Sequence, residues 1–399
     1  MTNAAALDQS DPLAKYADLF LRDDSVVSYL DGNSLGRPLR ASRDRVTRFI
    51  DEQWAGRLIR GWNESWLDMS TLVGDELGRV ALGAAPGQVT VGDSTTVLLY
   101  KLIRAAADAR PGRTEIVIDR ANFPTDRFVV EGIAQERGLT IVWIEAHGAL
   151  DSGVTVEQVA DAVSVDTAVV VLSHVSFRSG FIADLPGITA VAHEAGALIL
   201  WDLSHSVGVV PTHLDEWGVD VATGCSYKYL NGGPGSPAFA YVRSDLQGEL
   251  RQPIQGWLGS SRPFEMGQGY EPAAGIRSLL SGTPPIIGML AMQDMIALID
   301  EVGIDAVRAK SVALTEFAIE LVDTLLPDAR LASPRDSRVR GSHITIDGDG
   351  FEEVVPKLWA QGVIPDFRGP DGIRIGLSPL STTFAEVELG VWTIRHPGA

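Results

Sequence analysis

The sequence predicts an α/β fold: a large domain with a mainly parallel sheet flanked by helices, followed by a smaller α+β C-terminal domain. Short apolar runs rich in β-branched residues alternate with stretches of helical spacing. Many of the 41 glycines stand at the junctions between the two. Repeated strand, helix, strand units favour a parallel sheet covered on both faces. In such sheets ligands bind at the carboxyl ends of the strands.

The large domain is predicted from five apolar runs and the helical stretches between them. A short strand, Val89–Gly92, precedes a helix over Val97–Ala107. The longer predicted strands are Thr114–Asp119, Thr140–Glu145, Ala168–Ser173 and Ala197–Asp202, with helices over Phe128–Arg137 and Ile188–Ala195. Their length and β-branched content favour strands over helices. Gly196 ends the second of these helices because glycine suits the position after a helix.

The pattern changes after residue 290. A long amphipathic helix is predicted over Val302–Leu326, followed by strands His343–Asp347 and Gly372–Leu377. The predicted units are an N-terminal segment that packs across both domains (1–45), a large ligand-binding domain (46–290) and a small C-terminal domain (291–399).

Composition narrows the class of protein. The 52 acidic and 33 basic residues give a net charge of −19, which disfavours nucleic acid because phosphate binding needs clustered Lys and Arg. One cysteine, Cys225, excludes an internal disulfide, and the seven histidines are scattered, so no metal site is expected. No apolar run approaches the roughly 20 residues of a membrane span, and the start lacks the pattern of a secretion signal. We expect a cytoplasmic enzyme acting on a small molecule, with no membrane partner.

Two segments carry the most informative chemistry. Lys228 lies between two tyrosines and before a glycine-rich turn in CSYKYLNGGPGS, which suits a partly desolvated amine that forms a Schiff base; a solvated surface lysine is the alternative. Asp202 ends an apolar strand in WDLSHSVG, where alone it could cap a turn. Pyridoxal phosphate needs both groups: a lysine for its aldehyde and a carboxylate for its ring nitrogen. His205 contacts the cofactor or Asp202, or is structural.

A third segment offers phosphate donors. Thr95 and Thr96 follow Asp93 and Ser94 at the start of the predicted helix. Hydroxyls and free amides at a helix N-terminus form an anion site, although an ordinary helix cap explains this segment equally well. The combination with Lys228 favours the phosphate site.

Seven ordered motifs resemble the kynureninase family. They are YLDGNSLG (29–36), LIRGWN (58–63), NFPTD (122–126), WDLSHSVG (201–208), YKYLNGGPG (227–235), GWLG (256–259) and RGSH (340–343). The resemblance runs from about residue 27 to residue 385. It implies a pyridoxal-phosphate-dependent enzyme of fold type I, related to the class V aminotransferases.

The resemblance also implies a set of cofactor-binding residues. Lys228 binds the aldehyde, Asp202 pairs with the ring nitrogen, and Phe123 stacks on the ring. The other implied cofactor contacts are Thr95, Thr96, Asp126, Ser173, His205, Tyr227, Trp257 and Thr283. Trp257 and Thr283 would reach in from the other subunit of a homodimer, and Tyr227 is the candidate for general acid–base help beside the phosphate.

The implied substrate contacts lie in other segments. Arg374 in GIRIGL matches the arginine that grips the substrate α-carboxylate, a task suited to a bidentate guanidinium. Asn33 lies in the substrate-side loop, Trp54 lines the pocket for the aromatic end, and Ser260 follows the GWLG motif.

The implied reaction is hydrolysis of the Cβ–Cγ bond of L-kynurenine, or of its 3-hydroxy form, to anthranilate or 3-hydroxyanthranilate and L-alanine. It belongs to tryptophan degradation, a route that also feeds NAD biosynthesis. The chain departs from the family pattern near the expected pocket, with Ser260 for His, Phe177 for Tyr, Leu98 for Asn and Ser381 for Tyr. These departures leave open a C–S lyase or β-elimination on another β-substituted amino acid. A non-catalytic cofactor-binding regulator is disfavoured because no basic DNA-binding stretch is present.

Overall fold

The computed structural model describes residues 3–145 and 152–398. Its strands are β1 (Ser28–Tyr29), β2 (Val89–Val91), β3 (Glu115–Asp119), β4 (Thr140–Ile144), β5 (Thr167–Ser173), β6 (Leu198–Asp202), β7 (Val221–Gly224), β8 (Phe239–Val242), β9 (Arg330–Leu331), β10 (His343–Asp347), β11 (Val363–Ile364), β12 (Asp366–Arg368) and β13 (Gly372–Gly376). Its α-helices are α1 (Ala4–Ser10), α2 (Arg40–Arg48), α3 (Ala55–Arg57), α4 (Met69–Leu77), α5 (Thr95–Asp108), α6 (Pro124–Arg137), α7 (Val156–Ala162), α8 (Leu185–Glu194), α9 (Ile286–Val302), α10 (Ile304–Leu325), α11 (Phe351–Ala360) and α12 (Phe384–Arg395).

A seven-stranded sheet forms the centre of the large domain. Its strand order is β2-β8-β7-β6-β5-β3-β4, and β8 runs antiparallel to both of its neighbours while the other pairs are parallel. Along β5 and β6, Val170 and Ile199 pack into one apolar cluster, whereas Val171 and Leu200 pack into the cluster on the other face. Because both faces are covered, these strands are apolar throughout rather than alternating. The predicted fold class is confirmed.

The predicted strands match β3 to β6 within one residue at each end. The helix predicted over Val302–Leu326 is wrong at its start, because Val302 ends α9 and α10 begins at Ile304. Gly303 separates the two helices with a φ of 84°, a left-handed conformation that breaks a helix and that glycine adopts at little cost. Three other helices, α5, α6 and α8, begin two to four residues earlier than their apolar spacing indicated.

The C-terminal part of the chain contains an antiparallel sheet in the order β12-β13-β10-β9. A third apolar cluster packs between this sheet and its helices. The N-terminal segment contributes Ala4 and Leu30 to this cluster, and Tyr16, Phe20 and Leu39 to a cluster of the large domain.

Neither a bilayer-crossing helix nor a metal cluster occurs within residues 3–145 and 152–398. No helix in these ranges combines the length and apolar character that spanning requires. Likewise, no three His, Cys, Asp or Glu side chains there lie together in a way that could hold a metal ion.

Candidate active site

A cavity of about 170 Å³ opens at the carboxyl edge of the central sheet. Strands β5 and β6 end at Ser173 and Asp202, which are directly paired in the ladder. The segment after β7 brings in Lys228, and the segments after β2 and β3 bring in the starts of α5 and α6. The lining residues are Ser94, Thr95, Thr96, Phe123, Thr125, Asp126, Ser173, Phe177, Asp202, Ser204, His205, Tyr227, Lys228, Ser236 and Ala238.

Lys228 is the buried amine of this cavity, with 8% of the residue exposed. Its Nζ lies 3.0 Å from His205 Nε2 and 5.9 Å from the ring centroids of both Phe123 and Tyr227. Burial, followed by the nearby Lys228 charge, holds the pKa of His205 well below its usual range. A neutral imidazole accepts a hydrogen bond, so His205 Nε2 receives one from Lys228 and fixes the position of the amine.

Two buried carboxylates face the same amine. Asp202 Oδ1 accepts hydrogen bonds from the Ser204 amide at 2.8 Å and the Ser204 hydroxyl at 2.6 Å. Burial raises the pKa of Asp202 and, together with the charges of Asp202 and Asp119, raises that of Asp126 further. Asp126 Oδ2 is buried and has no hydrogen-bond partner in the described part of the chain. Lys228 is the cation that faces both carboxylates, and its single positive charge does not balance two negative charges.

The N-terminus of α5 forms another part of the cavity wall. Ser94 caps the helix, its Oγ accepting from the Val97 amide at 3.4 Å. The amides of Thr95 and Thr96 belong to the first turn, where the helix supplies no acceptor, and the helix dipole favours an anion there. Burial raises the pKa of the Tyr227 hydroxyl, which therefore stays protonated and can donate.

These features fit pyridoxal phosphate. The start of α5 provides donors for a phosphate, and the aromatic Phe123 stands at the start of α6 beside the cavity. A protonated ring nitrogen would supply the positive charge that Asp202 and the unpartnered Asp126 lack. The Lys228 amine is placed among these groups, where it would meet an aldehyde.

The fold and this site define a pyridoxal-phosphate-dependent enzyme of fold type I. Residues 83–361 match the family model "Aminotransferase class-V". Two solved structures share the fold: the cystine C–S lyase C-DES in complex with its product cysteine persulfide (TM-score 0.80, 18% identity, 93% of this chain and 98% of that one) and a cysteine desulfurase from Thermococcus onnurineus NA1 (TM-score 0.79, 16% identity, 99% and 98%).

Closer sequence relatives narrow the class. The chain is 40% identical to a kynureninase of Pseudomonas fluorescens over 391 residues, which is 96% of this chain and 91% of the relative. It is 39% identical to a kynureninase of Burkholderia pseudomallei (strain K96243) over 401 residues, 98% of this chain and 94% of the relative. The chain belongs to the kynureninase family.

Several predicted site residues lie outside this cavity. Trp257 and Trp54 are 40% and 53% exposed, and Thr283 is also exposed. Ser260 lies with Trp257 on a separate surface hollow. One chain therefore does not bring these four residues to Lys228.

Arg374 is buried next to Phe177 of the cavity wall, with 1% of the residue exposed, and all of its nitrogens are engaged. Its Nη1 donates to the Phe177 carbonyl at 2.7 Å, and its Nη2 donates to Ser34 Oγ at 2.7 Å and to Asp366 Oδ2 at 2.6 Å. With the Asn33 amide oriented to satisfy both neighbours, its oxygen accepts from Arg374 Nε at 2.9 Å. Arg374 and Asn33, both predicted as substrate contacts, are therefore in direct contact with each other.

Of the four departures from the family pattern, Phe177 lines the cavity. Its ring meets that of Phe123 edge-on, with centroids 5.3 Å apart. Leu98 is buried in an apolar cluster of the large domain, and Ser381 is buried with its carbonyl accepting from Arg22. At Phe177 the cavity wall therefore keeps an aromatic ring and lacks the hydroxyl of the tyrosine that the family pattern has there.

Sequence reasoning did not single out three hydroxyl residues of the cavity: Thr125, Ser204 and Ser236. All three stand inside or next to motifs that were recognised. Ser204 is the most important because it holds Asp202 through two hydrogen bonds. Ser204 stands two residues after Asp202 at the end of a strand, a spacing typical of an Asx turn. That spacing could have identified Ser204 from the sequence.

Proposed function

We propose that this chain is a pyridoxal-phosphate-dependent hydrolase that cleaves the Cβ–Cγ bond of L-kynurenine to anthranilate and L-alanine in tryptophan degradation. The observation that carries the proposal is the near full-length identity of about 40% to kynureninases. A cavity that combines Lys228, Asp202 and the start of α5 supports it.

Within this proposal, each cavity residue holds one part of the cofactor. Lys228 binds the aldehyde, Asp202 the ring nitrogen, and Phe123 the ring face. The remaining contacts are Thr95, Thr96 and Tyr227 to the phosphate, with Asp126, Ser173 and His205 around the ring. When bound, pyridoxal phosphate supplies an electron sink that stabilises negative charge on the substrate carbons next to the amine.

The chain's own groups orient the substrate and move protons. Arg374 binds the α-carboxylate, and Lys228 takes the proton from Cα. Water adds to the γ-carbonyl carbon, the Cβ–Cγ bond breaks, and the acyl part leaves as anthranilate. Cβ then receives a proton and becomes the methyl group of L-alanine. Tyr227 stays protonated at neutral pH because burial raises its pKa, which suits it to donate a proton beside the phosphate.

We also propose a cytoplasmic homodimer in which Trp257 and Thr283 complete the partner subunit's site. Their exposure outside their own cavity supports this. Mixing Lys228→Ala with Trp257→Ala subunits should regenerate activity, because one site of a mixed dimer has both residues. Mixtures that stay as inactive as either parent would contradict the shared site.

The reaction is tested by incubating the holoenzyme with kynurenine, 3-hydroxykynurenine and S-substituted cysteines. We expect alanine with anthranilate or 3-hydroxyanthranilate from the first two. Pyruvate or sulfide from the cysteines, without alanine from kynurenine, would instead identify a β-eliminating enzyme. Lys228→Ala should abolish turnover, whereas the matched change of an exposed lysine, Lys357→Ala, should not.

A further inference from the structure

We propose that Asp366 occupies, on Arg374, the place of the substrate α-carboxylate, and that it moves onto Arg368 when that carboxylate binds. The inference rests on the proposed function, since it concerns how the same site selects its substrate. Asp366 would then be a specificity-determining residue that keeps ligands without a carboxylate from binding productively.

The first step is the donor count of Arg374. A guanidinium has five N–H groups. Nε donates to Asn33, Nη1 to Phe177, and Nη2 to both Ser34 and Asp366, so four of the five are engaged within the described chain. Bidentate binding of a carboxylate needs two donors. A substrate carboxylate must therefore displace one present partner.

Of the partners of Arg374, Asp366 is the one with an alternative cation to bind, Arg368. Its Oδ2 already lies 2.7 Å from Arg368 Nη2. The Nε of Arg368 is buried and has no hydrogen-bond partner among the described residues. Released from Arg374, the Asp366 carboxylate could bind both nitrogens of Arg368 in a fork. Asn33 and Ser34 have no such alternative, because each is held in the loop beside Asp31.

The countercharge that the buried Arg374 requires points to the same exchange. Asp366 lies opposite Arg374 in the β12–β13 ladder, and Asp31 Oδ1 lies 3.8 Å from Arg374 Nη2. Two acids and two arginines thus balance one another around a guanidinium that is 1% exposed. Because a buried cation needs a countercharge, Arg374 without substrate keeps Asp366. A carboxylate can replace that charge, whereas a neutral amide cannot.

The test measures binding of L-alanine and L-alaninamide to the holoenzyme through the change in cofactor absorbance. Asp366→Asn keeps the shape but removes the competing charge, so the dissociation constant for L-alanine should fall about tenfold. Arg368→Gln removes the alternative cation, so L-alanine should bind several-fold more weakly. L-Alaninamide should bind equally to all forms.

Two comparisons decide the result. In the double variant the Arg368→Gln effect should disappear, because no Asp366 remains to be retained; persistence of the effect would mean that Arg368 acts on the ligand directly and would overturn the proposal. Unchanged or weaker alanine binding by Asp366→Asn would overturn it as well. Asp371→Asn, the same charge change at an exposed position of the same hairpin, is the control and should have no effect. Alanine binding is read without kynurenine, so a failure of the proposed reaction is seen separately.

Discussion

A buried ion pair holds the segment that precedes α5, where we propose that the phosphate binds, and the strength of the pair can be measured. Lys101 Nζ lies 2.6 Å from Asp93 Oδ2 and 2.6 Å from the Leu279 carbonyl, and it also contacts Ser281 Oγ. The Lys101 side chain is 0% exposed and that of Asp93 is 28% exposed. Asp93 has a φ of 54° and directly precedes the capping residue Ser94. We therefore propose the cycle Asp93→Asn, Lys101→Met and the double variant.

The expected magnitudes follow from burial. Asp93→Asn leaves a fully buried ammonium without its countercharge, and breaking a buried pair in this way costs about 3–5 kcal/mol. Strain does not add to this, because Asn tolerates the left-handed backbone. Lys101→Met leaves a carboxylate that water reaches and the Leu279 carbonyl unpaired, at a cost of about 1–3 kcal/mol. At 2.6 Å and an effective dielectric constant of about 20, Coulomb's law gives about 6 kcal/mol. Solvent access to Asp93 reduces this, so we expect a coupling energy of about 3 kcal/mol.

The assay is urea unfolding of the cofactor-free protein, because bound cofactor would add its own free energy at the same loop. The double variant should be about 3 kcal/mol more stable than the sum of the single effects predicts. Additivity within about 0.5 kcal/mol would refute the ion pair as the element that holds this loop. Pyridoxal phosphate titration of the same variants should show weaker binding by Asp93→Asn.

Three further predictions concern single positions. Ser204→Ala removes the 2.6 Å hydrogen bond to Asp202 and should weaken cofactor binding about tenfold, measured by titration of the cofactor-free protein. Gly376→Ala would place a Cβ in direct collision with the side-chain amide of Asn33, so L-alanine binding should be lost while the cofactor spectrum remains. Burial raises the pKa of Asp119 to about 6, so its contribution to stability is present below its unfolded pKa of about 4 and is lost as pH rises through 6. Asp119→Asn should therefore gain up to about 3 kcal/mol relative to wild type between pH 4 and pH 7.5 in urea unfolding, and a difference independent of pH would contradict this.

The proximity of the proposed cofactor-binding residues was predictable, because the topology of the sheet brings them to one edge. Asp202 and Ser173 end neighbouring parallel strands, and parallel strands align their carboxyl ends at one edge. Lys228 and Thr95 follow other strands to the same edge. The strands themselves can be identified from apolar runs in the sequence, so the residues that follow them can be placed at this edge without a structure.

The surroundings of Arg374, where we propose that the substrate binds, were less predictable because they depend on strand register and on contacts that no local pattern records. Asp366 meets Arg374 across an antiparallel pair whose strands are three and five residues long. The break at Gly303 was missed because a single glycine inside an apolar helical pattern is often tolerated. Trp54 and Trp257 are exposed in this chain. The proposed role of Trp257 depends on which surfaces meet a second chain, which a single sequence does not state.

The cofactor phosphate and the substrate α-carboxylate would be bound by two different kinds of donor. This explains how a chain of net charge −19 can bind two anionic groups. At the start of α5 the donors are neutral amides and hydroxyls, so no compensating acid is needed when the phosphate is absent. At Arg374 the donor is a charged group in a buried place, and burying it alone would be too costly. The chain therefore supplies Asp366 and Asp31 as countercharges. Substrate binding there becomes an exchange of one carboxylate for another, which leaves the charge on the buried guanidinium balanced throughout.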